Sequence, residues 1–137
     1  MSDLVEERMA YFTSMSEVKN LNIILNIQSN VVLQMDKNDA FRLVDNLISN
    51  AIKYNKHGGV LEVILNQEKL MVKDTGIGIE AEDLKQIMQR FKRVNKSEGG
   101  FGIGLHIVSQ VCESYTFDLK IESIVNKGTE VHIQWLK

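Results

Sequence analysis

Four short stretches, in a fixed order along the chain, most constrain what this sequence can fold into: residues 45–54, 74–79, 90–93 and 99–105. The first carries amide side chains with helical spacing, and the second places one carboxylate before a glycine turn. The third is basic, and in the fourth three alternating glycines precede an apolar helical pattern. A nucleoside triphosphate with its Mg²⁺ needs these same groups. The ordered set therefore predicts a cleft that binds a base and a polyphosphate.

Length and composition limit the classes of protein that fit. The 137 residues suit one domain with a real core, and the formal net charge of −2 argues against a nucleic-acid-binding domain. The lone Cys112 cannot form an internal disulfide and is predicted to be a buried free thiol. No apolar run approaches the roughly 20 residues that span a bilayer, and no signal segment opens the chain. We therefore expect a cytoplasmic location.

Apolar residues at helical spacing predict the helices, and alternating apolar residues predict the strands. The helices are expected over roughly 3–18, 38–55 and 81–90 and from Ile103 onward. The strands are expected as two short ones, 23–27 and 31–35, then a hairpin of 60–65 with 69–73 and a last hairpin of 117–121 with 131–135. Polar, basic residues 91–100 predict a mobile loop. The sum is an α/β chain whose sheet is covered on one face by helices.

Three polar residues share one face of the long predicted helix. Asn46, Asn50 and Lys53 are spaced i, i+4 and i+7, beside the apolar stripe. An asparagine carbonyl is a hard oxygen ligand that suits Mg²⁺, and a lysine one turn further can neutralise a phosphate oxygen. The spacing is equally compatible with a solvated helix face that carries amides by chance.

Asp74 follows an apolar strand and precedes two glycines. An ionised carboxylate only accepts hydrogen bonds, so it can recognise the exocyclic amine of adenine. Gly76 and Gly78 allow the backbone to approach a base closely, while Ile77 and Ile79 offer apolar surface to a flat ring. A plain strand end with an Asx turn would have the same pattern.

Gly100, Gly102 and Gly104 open the helix that follows. Each glycine costs a helix about 1 kcal/mol relative to alanine, so the pattern needs a reason, and phosphate bound at a helix N-terminus supplies one. The spacing matches neither a Walker-type loop nor the G-x-G-x-x-G motif.

Before the glycines, Arg93 and other basic residues surround Phe91. This pattern is typical of a lid that closes over phosphates, and equally of a solvated loop.

The three histidines, His57, His106 and His132, have no ligand-type spacing with one another or with Cys112. We expect them to be structural or solvated.

With these motifs placed, the chain resembles the catalytic ATP-binding domain of bacterial sensor histidine kinases, within the gyrase–Hsp90–histidine kinase–MutL superfamily. Residues 45–55 resemble its N box, 74–79 its G1 box, Phe91 its F box and 100–105 its G2 box, and Thr129 lies in its glycine-threonine element. The resemblance implies a two-layer, Bergerat-type α/β fold: a mixed five-stranded sheet with about three helices on one face. It also implies an ATP-binding domain over residues 21–137, preceded in 1–20 by the tail of a helical hairpin or by a linker helix.

The resemblance also implies a role for each matching residue. Asn50 would hold Mg²⁺, Asn46 and Lys53 would contact phosphates, Asp74 would accept from adenine, and Arg93 would contact the γ-phosphate during transfer. The further nucleotide-binding positions would be Tyr54, Gly76, Gly78, Ile79, Phe91, Gly100, Gly102, Ile103, Gly104, Leu105 and Thr129.

Asn46 bears on the reaction. Relatives that hydrolyse ATP carry a glutamate at this position as a base for water, and an amide cannot take a proton. Phosphoryl transfer to a neutral imidazole needs only positioning and charge neutralisation. The resemblance thus implies a protein-histidine kinase domain rather than an ATPase or a small serine kinase of the anti-sigma type. A degenerate regulatory module that binds nucleotide without transfer is the alternative.

The resemblance implies partners outside this sequence. The acceptor histidine would lie on a dimerisation hairpin, because His57, His106 and His132 lack the acceptor's context. A response regulator would act downstream, the parent kinase would be anchored in the inner membrane, and this fragment would be monomeric.

Overall fold

The computed structural model describes residues 1–88 and 100–135, without the side chains of 86–88 and 100–103. Helices and strands follow one another in the order α1 (Ser2–Val18), β1 (Asn22–Ile27), α2 (Lys37–Lys53), β2 (Val60–Leu65), β3 (Lys69–Asp74), α3 (Ala81–Met88), α4 (Gly100–Ser114), β4 (Asp118–Ile124) and β5 (Gly128–Gln134). The predicted mobile loop falls almost wholly outside the described residues. Its last position, Gly100, lies in α4.

The five strands form one mixed sheet in the order β1-β2-β3-β5-β4. Only β1 and β2 run parallel, and the other neighbours are antiparallel. Buried side chains of α1, α2 and α4 form one cluster with alternate residues of the strands, such as Val63 and Ile133, and Leu84 of α3 packs against it. The predicted fold class, a mixed five-stranded sheet with helices on one face, is confirmed.

The long helix α2 carries the first of the four stretches, and its beginning is well defined. The Asp36 carboxylate accepts from the backbone N–H of Asn38 at 2.8 Å, as an N-cap does. The Tyr115 hydroxyl, at the end of α4, accepts from the Asp36 N–H and donates to Asp39 at 2.7 Å. Leu43 and Leu47 then lie in the core at 0% and 2% exposure. Two helices that are distant in sequence are therefore held together beside the sheet.

The predicted strand over residues 31–35 is wrong. Asn30 has a φ of 62° and turns the chain out of the sheet. Val31 then bonds to the start of α1: its N–H donates to the Ser2 hydroxyl at 2.8 Å, and its C=O accepts from the Ser2 N–H and the Met1 amino group. The alternation that suggested a strand is real, because Val31 is 1% exposed and Val32 is 78% exposed. Its backbone hydrogen bonds, however, go to a helix terminus.

This difference predicts opposite outcomes for two adjacent valines. Val31→Ala removes two buried methyl groups and should lower the free energy of unfolding by about 2 kcal/mol. Val32→Ala is the matched control and should change it by less than about 0.5 kcal/mol. Urea denaturation followed by circular dichroism measures both. Equal losses would contradict the described path of residues 31–35.

Candidate nucleotide-binding site

Asp74 is the last residue of β3, and its carboxylate is held by two backbone groups. Its Oδ1 accepts from the N–H of Gly76 at 2.8 Å, and the N–H of Thr129 on β5 also donates to the carboxylate. Burial raises the pKa of Asp74 from 3.8 to about 6, although these two hydrogen bonds act to lower it. At neutral pH the carboxylate is therefore mainly ionised and can only accept further hydrogen bonds.

The glycine turn after Asp74 is pressed against the end of α2. A Cβ added at Gly76 would collide with the backbone of Tyr54 and Asn55. The N–H of Ile77 donates to the C=O of Tyr54 at 3.1 Å. A glycine is needed here because two main chains approach closely, and this approach brings the second predicted stretch against the first.

Two polar side chains behind this turn were missed by the sequence analysis as functional positions. Asn55 is 5% exposed; its Nδ2 donates to the C=O of Val60 at 2.9 Å, and its Oδ1 accepts from the Thr75 hydroxyl at 3.2 Å. The Thr75 hydroxyl in turn accepts from the N–H of Val60 at 2.9 Å. Asn55 lies within the predicted N box and directly follows the polar face of α2, which was the available signal. These hydrogen bonds hold Thr75, the first residue of the glycine turn, beside Asn55 at the end of α2.

Asn50 and Gly104 bring the first and fourth stretches together. A Cβ added at Gly104 would lie 2.6 Å from Nδ2 and 3.1 Å from Cγ of Asn50, so the amide fills the space that the glycine leaves. Asn50 Nδ2 is buried and has no hydrogen-bond partner within the described structure. Because a buried polar group without a partner is costly, this amide fits a site that a ligand completes.

Asn46 and Lys53 lie on the same side of α2. Asn46 Nδ2 donates to the C=O of Arg42 at 2.6 Å, which leaves Oδ1 and the second amide hydrogen available to a ligand. The Lys53 side chain is exposed, with Nζ 5.4 Å from the ring centroid of Tyr54. Tyr54 is half-buried at the C-cap of α2. An oxygen acceptor, an ammonium group and an aromatic ring are thus carried by the last two turns of α2 and its C-cap.

The remaining predicted positions divide into three groups. Ile79, Leu105 and Thr129 are buried, with Leu105 inside the apolar core at 2% exposure. Gly100, Gly102 and Ile103 belong to the first turn of α4, as an N-terminal phosphate site requires. Arg93 and Phe91 lie outside the described residues. Cys112 is buried as expected, and burial raises the pKa of its thiol to about 12.

The sheet face opposite the helices carries a separate charged cluster. His132 Nε2 lies 3.1 Å from Glu130 and 3.7 Å from Glu122, and Lys73 and Lys120 lie within 4 Å of the same two glutamates. Directly opposed Glu122 and Glu130 would repel each other without these cations. The carboxylates of Glu122 and Glu130 and the imidazole of His132 are close enough together to hold a metal ion. The two lysines, however, already supply positive charge beside these carboxylates.

Both the sheet and the paired motifs are typical of an α/β nucleotide-binding domain. The model of the histidine kinase-, DNA gyrase B- and HSP90-like ATPase family matches residues 35–137. The chain therefore belongs to this family of ATPases. The resemblance that the sequence motifs indicated is confirmed.

The similar proteins are sensor kinases. The chain is 32% identical to the sensor histidine kinase WalK of Bacillus subtilis strain 168 over 85% of this chain and 21% of WalK. It is also 32% identical to the sensor histidine kinase RppB of Synechocystis over 98% of this chain and 32% of RppB. This chain thus spans between a fifth and a third of these two relatives.

Solved structures support the fold. The nucleotide-free catalytic domain of histidine kinase ThkA superposes with a TM-score of 0.80 at 18% identity, covering all of this chain and 92% of that one. A mycobacterial sensor histidine kinase, MprB, gives a TM-score of 0.75 at 23% identity, with 98% and 93% covered. Among the described residues, no helix is both long and apolar enough to cross a membrane.

The raised pKa of Asp74 predicts how stability depends on pH. The Asp74 carboxyl group binds its proton more tightly in the folded state than in the unfolded chain. Its contribution to the free energy of unfolding is therefore complete below pH 4 and is lost as pH rises through about 6. Asp74→Asn lacks this dependence. The free energy of unfolding of the variant minus that of the wild type should therefore rise by about 2 kcal/mol between pH 4 and pH 8. Urea titrations at several pH values measure it; parallel pH profiles would contradict the burial of the carboxylate.

Proposed function

We propose that this chain is the catalytic domain of a sensor histidine kinase. It binds Mg-ATP and donates the γ-phosphoryl group to a histidine on a hairpin domain outside this sequence. The observation that carries the proposal is the buried, unpartnered Asn50 amide packed against Gly104 at the start of the glycine-rich helix. The names of the sensor kinase relatives support the same function.

The base would bind at the end of β3. Asp74, ionised and already holding two N–H groups, has acceptor capacity left for the exocyclic amine of adenine. Gly76 and Gly78 let the turn after Asp74 pack closely on the neighbouring backbone, and Ile79 and Tyr54 would supply apolar surface beside the base. Ile77, which is 52% exposed, offers further apolar surface at the rim.

The phosphates would bind between α2 and the start of α4. Asn50 is the proposed Mg²⁺ ligand through Oδ1, because an amide oxygen is a hard ligand, and its unpartnered Nδ2 beside Gly104 would donate to a phosphate oxygen. When bound, Mg²⁺ neutralises phosphate charge. The Lys53 ammonium would contact phosphate oxygens, Asn46 would do so through its amide hydrogens or through water, and the free N–H groups at the start of α4, around Gly100 and Gly102, would donate to the polyphosphate. Arg93 and Phe91 remain proposed as the γ-phosphate contact and the lid anchor.

Transfer to an imidazole fits this site better than hydrolysis. Asn46 lies where a hydrolytic relative would need a base, and its Nδ2 is already bonded to the C=O of Arg42. An amide in that position can orient a group but cannot remove a proton from water. An acceptor that brings its own nucleophile needs only positioning and charge neutralisation.

Residues 1–20 are proposed as the tail of the acceptor hairpin or as a linker helix, and 21–137 as the ATP-binding domain. Val5, Met9 and Phe12 of α1 lie in the same core as α2, so the helix is seated on the domain it precedes. The proposed partners are ATP, the histidine-bearing hairpin and a response regulator. The parent kinase is proposed to be anchored in the inner membrane, and this fragment to be cytoplasmic and monomeric.

Calorimetric titration with ATP, with and without Mg²⁺, tests the site. Asn50→Ala should remove the Mg²⁺-dependent part of the affinity, and Gly104→Ala should do the same because its Cβ displaces the Asn50 amide. Asp74→Asn should weaken ATP at least about tenfold because an amide can present a donor to the adenine amine. Asn38→Ala, an exposed amide at the start of α2, is the matched control and should bind as the wild type does. Unchanged affinity in all three site variants would refute the assignment.

Phosphoryl transfer is tested with radiolabelled [γ-³²P]ATP and a separately purified hairpin domain of the parent kinase. Acid-labile, alkali-stable label should appear on the hairpin and not on this chain, because no histidine here is the proposed acceptor. Lys53→Ala should slow labelling by at least about tenfold, since it removes a proposed phosphate contact. ATP binding without any labelling would instead indicate a module that only binds nucleotide. Efficient self-labelling of this chain would contradict the missing acceptor.

A further inference from the structure

Lys19, the C-cap residue of α1, bonds to the end of α2 through both its side chain and its backbone. Its Nζ donates to the C=O of Lys53 at 2.5 Å and to the C=O of Asn55 at 3.1 Å. Its own C=O accepts from the N–H of Gly58 at 2.7 Å. The last carbonyls of an α-helix have no partner within the helix, and an ammonium group at that end also complements the helix dipole. A residue of α1 therefore caps α2.

The carbonyl between these two belongs to the candidate site. The C=O of Tyr54 accepts from the N–H of Ile77 in the glycine turn at 3.1 Å. A Cβ added at Gly76 would lie 2.0 Å from this oxygen, so the position of the carbonyl sets how closely the turn can approach α2. The N–H of Gly76 in turn donates to the carboxylate of Asp74 at 2.8 Å. A continuous series of contacts thus joins the Lys19 ammonium to the carboxylate that would bind adenine.

Helix α1 holds the backbone of Lys19 in place. Val5 and Phe12 of α1 lie in the apolar core that α2 shares. Arg8 Nε lies 2.6 Å from Oδ1 of Asp45 on α2. With the helix seated in this way, the Lys19 side chain starts from a fixed point. A displacement of α1 would withdraw the ammonium from both carbonyls at once.

We propose that Lys19 is a positioning residue for the base-binding end of the site, and that through it the seating of α1 sets the affinity for adenine nucleotides. The inference rests on the proposed function and names a residue that regulates the same site. Lys19 does not need to touch the nucleotide. It acts through the end of α2, which carries Tyr54 and receives the glycine turn.

The phosphate contacts should depend less on Lys19 than the base contacts do. Asn46 and Asn50 lie inside α2, and Gly104 packs against the Asn50 amide. The Lys53 ammonium is carried by an exposed side chain, which can adjust when the backbone shifts. The bond from Lys19 to the C=O of Lys53 is exposed and that to Asn55 is half-buried. Water can therefore replace the ammonium, and a variant without it should still fold.

The binding test compares two ligands on four proteins. Dissociation constants for Mg-ATP and Mg-tripolyphosphate are measured by calorimetry for the wild type, Lys19→Met, Lys19→Arg and Lys37→Met. In Lys19→Met, ATP should weaken by about three- to tenfold and tripolyphosphate by less than about twofold. Lys19→Arg keeps a cationic N–H donor and should restore the affinity for ATP. Lys37→Met makes the same change of charge at the exposed start of α2 and should match the wild type.

Hydrogen exchange of the nucleotide-free protein, measured by NMR, tests the series of contacts directly. In Lys19→Met the N–H of Ile77 should exchange at least about threefold faster, because its acceptor on Tyr54 is less firmly held. The N–H of Val72, in the middle of β3 between β2 and β5, should exchange as in the wild type. A loss of overall stability would accelerate both amides.

The outcomes separate this inference from the proposed function. If the wild type binds ATP and Lys19→Met binds it equally well, the inference is wrong while the proposed function stands. Equal weakening of both ligands, the same loss in Lys37→Met, or equally faster exchange at Ile77 and Val72 would overturn the inference in the same way. If the wild type binds no ATP, both are wrong. Should Lys19→Met fail to fold by circular dichroism, Lys19→Gln replaces it under the same expectation, because its amide is uncharged and its side chain is shorter.

Discussion

The candidate site depends on one backbone contact, that between the glycine turn after β3 and the end of α2. The C=O of Tyr54 accepts from the N–H of Ile77, and Gly76 leaves no room for a side chain between the two chains. Without this approach the Asp74 carboxylate and the amides of α2 would belong to separate surfaces. Asn55 and Thr75 secure the contact with hydrogen bonds that are largely shielded from water, where such bonds are strongest.

Close approach between neighbouring segments also explains why glycines recur around the cleft. At Gly104 the missing Cβ makes space for the Asn50 amide, and at Gly128 it makes space for the backbone of Asp74. Glycine is unfavourable in a helix interior and entropically costly in a strand. The glycines lie where four segments pack closely together: α2, the turn after β3, the start of α4 and the turn between β4 and β5. The convergence, rather than any one motif, brings a carboxylate, an unpartnered amide nitrogen and a helix N-terminus into the candidate site.

Much of the fold could be predicted because local patterns and tertiary packing agree. The apolar stripe of α2 predicted a helix that the core then required, and the structure places its N-cap at Asp36. Residues 31–35 had an equally good strand pattern, yet Val31 bonds to the first residues of α1. An alternating pattern predicts which side chains face the core, but it does not predict which groups the backbone N–H and C=O will bond to. The backbone of Val31 bonds to the start of α1, where N–H groups are free, instead of to the edge of the sheet.

The sequence by itself determined the chemical inventory of this protein and its order: the amides of one helix, a carboxylate before glycines, and a glycine-rich helix start. Those features depend on residue type and local spacing, which are written directly in the chain. Only the tertiary structure decided which hydrogen bonds each group has already made. Asn46 Nδ2 donates to the C=O of Arg42, and the hydroxyl of Thr129 lies 2.8 Å from that of Ser123 on another strand. Such pairings join residues through space, and the free energy of a polar group depends on the partners that the fold brings to it.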